Sequence, residues 1–482
     1  MAGIGFELKR LADRKGMLAP AASLGHATVI AAGPWLLTVI ALGLIQAGST
    51  FETEARDQAV QSLIIYSFCL SLLATAPVTA IAIREASDRI YLKRFERLTP
   101  LFLTALLVSV LCGLVAGGLV FGLGFRMGGM DLAWASLSVA ILSAMWPAMA
   151  FCGMMRRYGA ITRAFVVGLA AAIGLTLLVR RADLDAAVEA AAFALGLGLT
   201  TILLQASFTA TFPPEERPQH SPAARRQRRG LIAVGATLSA TSLWIDSWLM
   251  WAGPLGVASR DGLSTAPFYD SVMFIARMSM VPALAFFVIW VETAIFDRVV
   301  AYIATIRGTG TLRRIEEEAT ALRHTLRRMM GTVLLVQFMA SAALALLAHS
   351  AVEAAGLLFQ QTGILRNGAI GVFFHLGFLA ASTMLLFLDR LAAFAWLQGL
   401  FLVLNLILTA LSLALPPEAY GLGYMAAAAL SAFAAIFVLE NTSDDIVALT
   451  FAEAHRPPSS APRWPALGWP AWGRRSRPGD AI

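Results

Sequence analysis

The chain alternates between long apolar runs and short charged breaks. Twelve runs emerge, at 21–48, 58–82, 98–123, 132–155, 164–179, 186–211, 231–256, 268–295, 331–349, 367–388, 391–415 and 420–440. Most reach the length of about 18 apolar residues that separates a bilayer span from a buried core helix. Hydrocarbon offers backbone amides no partner, so each span must satisfy its own hydrogen bonds by being helical. The pattern predicts an all-α integral membrane protein with about twelve transmembrane helices.

Composition agrees: 58% of the 482 residues are apolar and 14% are charged, where a soluble domain carries about 25% charge. A soluble enzyme is excluded on this ground. The formal charge of +7 raises nucleic acid as a partner, but the distribution of the basic residues answers it. Of 37 Lys and Arg, 30 fall in the leader, in alternate loops and in the tail, all on the side of the N-terminus; the opposite side has Arg56, Arg126, Arg180, Arg181, Arg260 and Arg366. Arg277 lies inside a span. The positive-inside rule explains this split without nucleic acid and places both termini in the cytoplasm. A missed helix would invert every later loop and mix the two sets. The first run, from about Ala21 to Gly48 behind four basic residues, is too long for a signal-peptide core and is expected to remain as a signal anchor.

The polar interruptions set the organisation. Residues 212–230, FPPEERPQHSPAARRQRRG, form a basic linker between runs six and seven, which gives a six-helix lobe over 1–211 and another over 231–440. No residue-level repeat relates the two. Within 297–330, IEEEATALRHTLRRM has Glu316 and Glu318 five to eleven residues before Arg323 and Arg327, the pattern of an exposed helix on the membrane surface or of a docking site for a cytoplasmic partner. The tail, 441–482, is rich in Pro, Trp and Arg and is expected to be disordered.

Candidate chemistry is sparse. RGTGTL lacks the GxxxxGK[ST] pattern of a phosphate-binding loop. The six histidines are scattered, and Cys69, Cys112 and Cys152 fall inside spans without metal-ligand spacing. No cofactor or metal is expected. Ionisable groups inside spans are costly and are therefore the functional candidates. In run seven, Trp244, Trp248 and Trp251 recur on one helical face and Asp246 points to another. The group reads either as a cavity wall that meets a polar or cationic cargo, or as an interfacial aromatic belt with a snorkelling aspartate. In run eight, Asp270 and Arg277 share a face about 10 Å apart, too far for a direct salt bridge. Each is expected to pair with another helix or to line a shared aqueous cavity. Pro282 offers a point of flexure, and Glu292, near the cytoplasmic end, a gate or interface residue. In run one, His26 precedes Gly33, Pro34 and Trp35, an imidazole followed by a helix break; His375 of run ten is similarly alone.

Several stretches resemble one family: MAGIGFELKRL at the start, AAGPWLLT in run one, WIDSWLMWAGP in run seven, and above all APFYDSVMFIARMSMVPALAFFVIWVET followed by FDRVVAYIATIRGTGTLRRIEEE. They resemble the PelG family, inner-membrane transporters of the Pel exopolysaccharide system, over Met1 to about Asp445. The resemblance implies the multidrug/oligosaccharidyl-lipid/polysaccharide exporter (MOP) superfamily, with two six-helix bundles around a central cavity. It implies export of a partly cationic amino-sugar polymer across the bacterial cytoplasmic membrane. The partners it implies are a cytoplasmic glycosyltransferase, a cyclic-di-GMP receptor anchored in the membrane and a repeat-containing membrane protein. On the same fold, a lipid-linked oligosaccharide flippase or a cation-coupled drug exporter is the alternative; a non-transporting scaffold for the glycosyltransferase is another. A glycosyltransferase activity is disfavoured, since no cytoplasmic catalytic domain is found.

Overall fold

The computed structural model describes residues 54–92, 94–154, 158–212, 226–259, 262–308 and 310–454. The first expected span, with His26 and Pro34, lies outside them, as do most of the linker and residues 455–482. The described chain is helical apart from one two-stranded hairpin. In order it forms α1 (Glu54–Tyr91), α2 (Leu98–Gly117, extended by a π-helical segment Gly118–Gly124), α3 (Gly129–Met154), α4 (Tyr158–Arg181), α5 (Ala186–Thr211), α6 (Arg226–Ser242) and α7 (Ile245–Ala252). The antiparallel strands β1 (Val257–Ala258) and β2 (Ser264–Thr265) follow. Then come α8 (Pro267–Met278), α9 (Val281–Trp290), a π-helical turn Val291–Ile295, α10 (Phe296–Arg307), α11 (Leu312–Leu346), α12 (Ala348–Ala354), α13 (Gln361–Phe387), α14 (Leu391–Ser412), α15 (Leu422–Asp444) and α16 (Ile446–Ala454).

Among the described residues nine helices are long and apolar enough to cross a membrane, and α8 with α9–α10 makes a tenth as one bent pair. They cover ten of the twelve expected runs. The outward side chains show which solvent they meet: on α2, Leu107, Leu111, Leu114, Val115 and Leu119 are all exposed, a stripe that suits lipid and not water.

Run seven departs from the expected single helix. It is split at Leu243–Trp244, leaving 17 residues in α6 and 8 in α7. The local cause is a polar run whose hydroxyls bond back to the preceding turn, Thr241 to the Thr237 carbonyl at 2.8 Å and Ser242 to the Ser239 carbonyl at 2.8 Å, which weakens helix continuity. The break frees the Ser242 carbonyl, and Asn405 of α14 donates to it at 3.4 Å, as a buried carbonyl requires. Run eight breaks at Ser279–Met280 and bends by 40°. Pro282 enters the next turn without an N–H, and its ring opposes the carbonyl four residues back.

The expected surface helix within 297–330 is also corrected. Its second half is the start of α11, 35 residues and about 50 Å long, so it runs past a hydrocarbon core of about 30 Å. Arg323 and Arg327 do not pair within their own helix: Arg327 meets Glu440 at 2.8 Å and Arg323 meets Asp444 at 3.0 Å, both on α15. The chain also stays helical beyond Glu440, through the end of α15 and α16, where disorder was expected from 441.

Two buried apolar clusters form the core. One is drawn from α1–α5, joined by Leu263 and Ala285; the other runs from α7 to Ile446 of α16. Among the described residues most basic side chains sit at one end of the helices, called here the basic end. There, ion pairs link α1 to later helices: Arg84 to Asp389 at 3.0 Å, and Glu85 to Arg229 at 2.7 Å. At the opposite end, the fully buried Glu189 of α5 lies between two guanidinium groups. Arg56 of α1 reaches Oε2 at 3.1 Å, and Arg180 of α4 reaches Oε1 at 2.8 Å. Arg180 also meets Asp57 at 2.6 Å, and Arg56 meets Asp183 at 2.7 Å.

Small residues allow the tightest helix approach. A Cβ on Gly196 of α5 would lie 2.2 Å from both the Cα and the N of Ala172 on α4, a collision with backbone that no rotamer relieves. Gly196→Val is expected to cost about 1–3 kcal/mol through overpacking, read as a lower melting midpoint in detergent. Gly174→Ala, where a Cβ meets nothing within 4 Å, is expected to leave the midpoint unchanged.

Candidate functional site

The buried polar groups of the second cluster converge where α7 and α8 cross. Asp246 occupies the first turn of α7 and is fully buried. Two groups of α8 share its Oδ2: the Tyr269 hydroxyl donates at 2.9 Å and Arg277 Nη2 at 2.6 Å. Its other oxygen, Oδ1, is buried and takes no hydrogen bond among the described residues. The aspartate does not snorkel, which removes the interfacial-belt reading; an unpaired buried carboxylate would cost several kcal/mol, and Arg277 is what compensates it.

Arg277 continues the network. Its guanidinium carbon lies 5.6 Å from the ring centroid of Tyr424 on α15, within cation–π range. The Tyr424 hydroxyl lies 2.7 Å from His375 Nδ1 on α13. His375 is therefore not isolated: it ends a chain of contacts through Tyr424 and Arg277 to Asp246, across four helices.

Asp270 has a different engagement. Its Oδ2 accepts from the Trp251 indole at 2.6 Å and from the Ala266 amide at 3.4 Å, tying the end of α7 to the start of α8. The facing wall comes from α1. Tyr66 lies 4.8 Å from Trp251 and 5.3 Å from Phe125 between ring centroids, and Trp248 reaches the thiol of Cys69. Trp244 packs edge-on to Trp251 at 6.2 Å. This is a place where α1, from the first core cluster, meets α7 and α8, from the second.

Of the residues singled out in the sequence, Asp246, Asp270, Arg277, Trp244, Trp248 and Trp251 come together. Glu292 does not join them: it is buried in the π-helical turn, 15 residues beyond Arg277 and on the far side of the bend. Pro282 stands directly after the bend. His26 and Pro34 lie outside the described residues. Tyr66, Tyr269 and Tyr424 were not anticipated from the sequence. Tyrosines number seven in 482 residues, and four of them inside apolar runs, these three and Tyr420, each with a hydroxyl to satisfy, were the available signal.

The arrangement suits binding: a carboxylate with an open acceptor, a cation beside it, and aromatic faces from two sides. The fold, in which apolar helices enclose such a site, is that of a membrane transporter. It is similar to a mutant form of MATE (13% identity, TM-score 0.63, covering 92% of this chain and 97% of that one). It is also similar to a MOP superfamily transporter from Pyrococcus furiosus (14%, 0.61, 92% and 97%) and to a multidrug resistance MATE family transporter in an outward-facing conformation (13%, 0.60, 93% and 97%). No curated protein matches the chain. The family is given by the sequence: the model of PelG, described as "Putative exopolysaccharide Exporter (EPS-E)", matches residues 1–451. The chain belongs to the PelG family, and it is a multi-pass membrane protein with the fold of transporters, not enzymes.

Proposed function

We propose that this chain exports Pel, a partly cationic amino-sugar polymer, across the bacterial cytoplasmic membrane, by alternating access or by translocation coupled to synthesis. In this reading the basic end is cytoplasmic, both termini lie there, and residues 1–211 and 231–440 are two lobes that move about the site between α1 and α7–α8. The observation that carries it is the pairing of a buried acid with an aromatic wall: the open Oδ1 of Asp246 accepts from a sugar hydroxyl or ammonium, and Tyr66, Trp248 and Trp251 offer faces for pyranose rings. The basic end, with the long helix α11, offers surface to a cytoplasmic glycosyltransferase, a cyclic-di-GMP receptor and a repeat-containing membrane protein.

The test compares the bacterium that encodes the chain with a deletion strain and with an overproducer. Deletion is expected to remove surface polymer, with return on complementation, while overproduction leaves tolerance to cationic drugs unchanged. Raised drug tolerance together with undiminished surface polymer in the deletion strain would replace this reading with a drug exporter.

A further inference from the structure

The connection between α7 and α8 does more than turn the chain. β1 and β2 pair as Val257 with Thr265 and Ala258 with Ser264, and the Ser259 amide donates to the Leu263 carbonyl at 2.8 Å. Leu263 is fully buried, yet it belongs to the core cluster of α1–α5, not to that of the helices on either side of it in sequence. The hairpin therefore reaches across the interface and plugs a side chain into the opposite core. One hydrogen bond accompanies the plug: the Tyr66 hydroxyl of α1 donates to the Ser264 carbonyl at 2.8 Å.

On its own side the hairpin is fastened more firmly. The Ser264 hydroxyl donates to the Trp251 carbonyl at 2.6 Å, and Asp270 takes both the Trp251 indole and the Ala266 amide. The hairpin thus moves with α7 and α8, while across the interface it places Leu263 in the first cluster and accepts the Tyr66 hydrogen bond from α1. Strands this short have little stability apart from what they pack against, which makes the α1 side the separable one. Next to Tyr66 lie Trp251, in ring contact with it, and Cys69, one turn further along α1, both buried.

We propose that the β1–β2 hairpin is the outer lid of the path, with Leu263 its plug and Tyr66 its catch, and that Asp270 is a positioning residue holding the lid to α7 and α8. The proposal rests on the export reading only in taking the end opposite the basic one as the outer end. Opening toward the outside withdraws Leu263 from the first core and breaks the Tyr66–Ser264 bond. Closing restores both and seals Asp246 and the tryptophans from outer water.

Cys69 provides the probe. In the full chain with Cys112→Ala and Cys152→Ala, in its own membrane, a membrane-impermeant thiol reagent is added from the outer side and then, with inverted vesicles, from the inner side. With the lid intact, outer labelling of Cys69 is expected to be slow. Leu263→Ala is expected to raise its rate by at least about tenfold, since it removes an interaction made only in the closed state; Tyr66→Phe, which keeps the ring and the core, is expected to raise it a few-fold. Asp270→Asn is expected to raise it also, by loosening the hairpin from α7. Unchanged outer labelling in Leu263→Ala and Tyr66→Phe would overturn the lid, as would acceleration from the inner side alone. The labelling needs no polymer, so a chain that does not export Pel still reports whether the hairpin is a lid, and an export defect without a labelling change separates the two failures.

Discussion

Arg277→Met is expected to abolish polymer export and to lower the yield of folded chain, with a loss of about 3–5 kcal/mol for stranding a buried carboxylate. Among the described residues Tyr269 donates one hydrogen bond to Asp246, and the charge is met by Arg277 at 2.6 Å. The same substitution leaves Tyr424 without its guanidinium contact, so the link from α13 and α15 to α7 is cut as well. A double variant separates stability from transport. Asp246→Asn with Arg277→Met removes both charges together, and a buried ion pair replaced by neutral groups of similar volume is often neutral in stability. The melting midpoint in detergent is therefore expected to recover toward that of the unmodified chain, while surface polymer stays absent because the carboxylate proposed to meet the cargo is gone. Recovery of both would make the pair a structural fastening only. Arg277→Lys is expected to be intermediate, keeping the charge but losing the planar group that lies over Tyr424.

The spans were legible because bilayer thickness writes itself into the length of apolar runs, and a helix inside one needs no distant partner. The breaks were less so. In run seven the split depends on Thr241 and Ser242 bonding back along the helix and on Asn405, 163 residues from Ser242, rescuing a carbonyl; only the hydroxyls were visible locally. The site divides the same way. Asp246, Asp270 and Arg277 stood out because charge inside hydrocarbon is expensive wherever it occurs. Which carboxylate Arg277 meets is a question of helix crossing: spacing set Asp270 too far along the same helix for a direct pair, but it could not name Asp246 as the partner. The structure separates them: Asp246 holds the cation and Asp270 holds the hairpin. Arg323 and Arg327 repeat the point, since acidic neighbours at helical spacing on α11 gave way to Glu440 and Asp444 on α15, more than 110 residues away.

Glu189→Ala is expected to be the most destabilising single change in the first core cluster, for a reason that also bears on orientation. Its carboxylate is fully buried between Arg56 and Arg180, and removal leaves two guanidinium groups facing each other across a cavity, at a cost of about 3–5 kcal/mol. Glu189→Gln keeps the volume and an acceptor and is expected to lose less. Asp183→Ala removes an acid whose side chain is 93% exposed and is expected to leave the melting midpoint within error, since exposed pairs contribute little. If Asp183→Ala proves as damaging as Glu189→Ala, burial is not what gives this cluster its weight. Arg56 and Arg180 are two of only six basic residues that the charge count places away from the N-terminal side, and here they are matched by Asp57, Asp183 and Glu189. Paired in this way they add no net positive charge to that end. Loss of Glu189 takes away the central acid of that match, and its effect is expected first where α1, α4 and α5 meet, as a lower midpoint and as new protease sensitivity in the connection between α4 and α5.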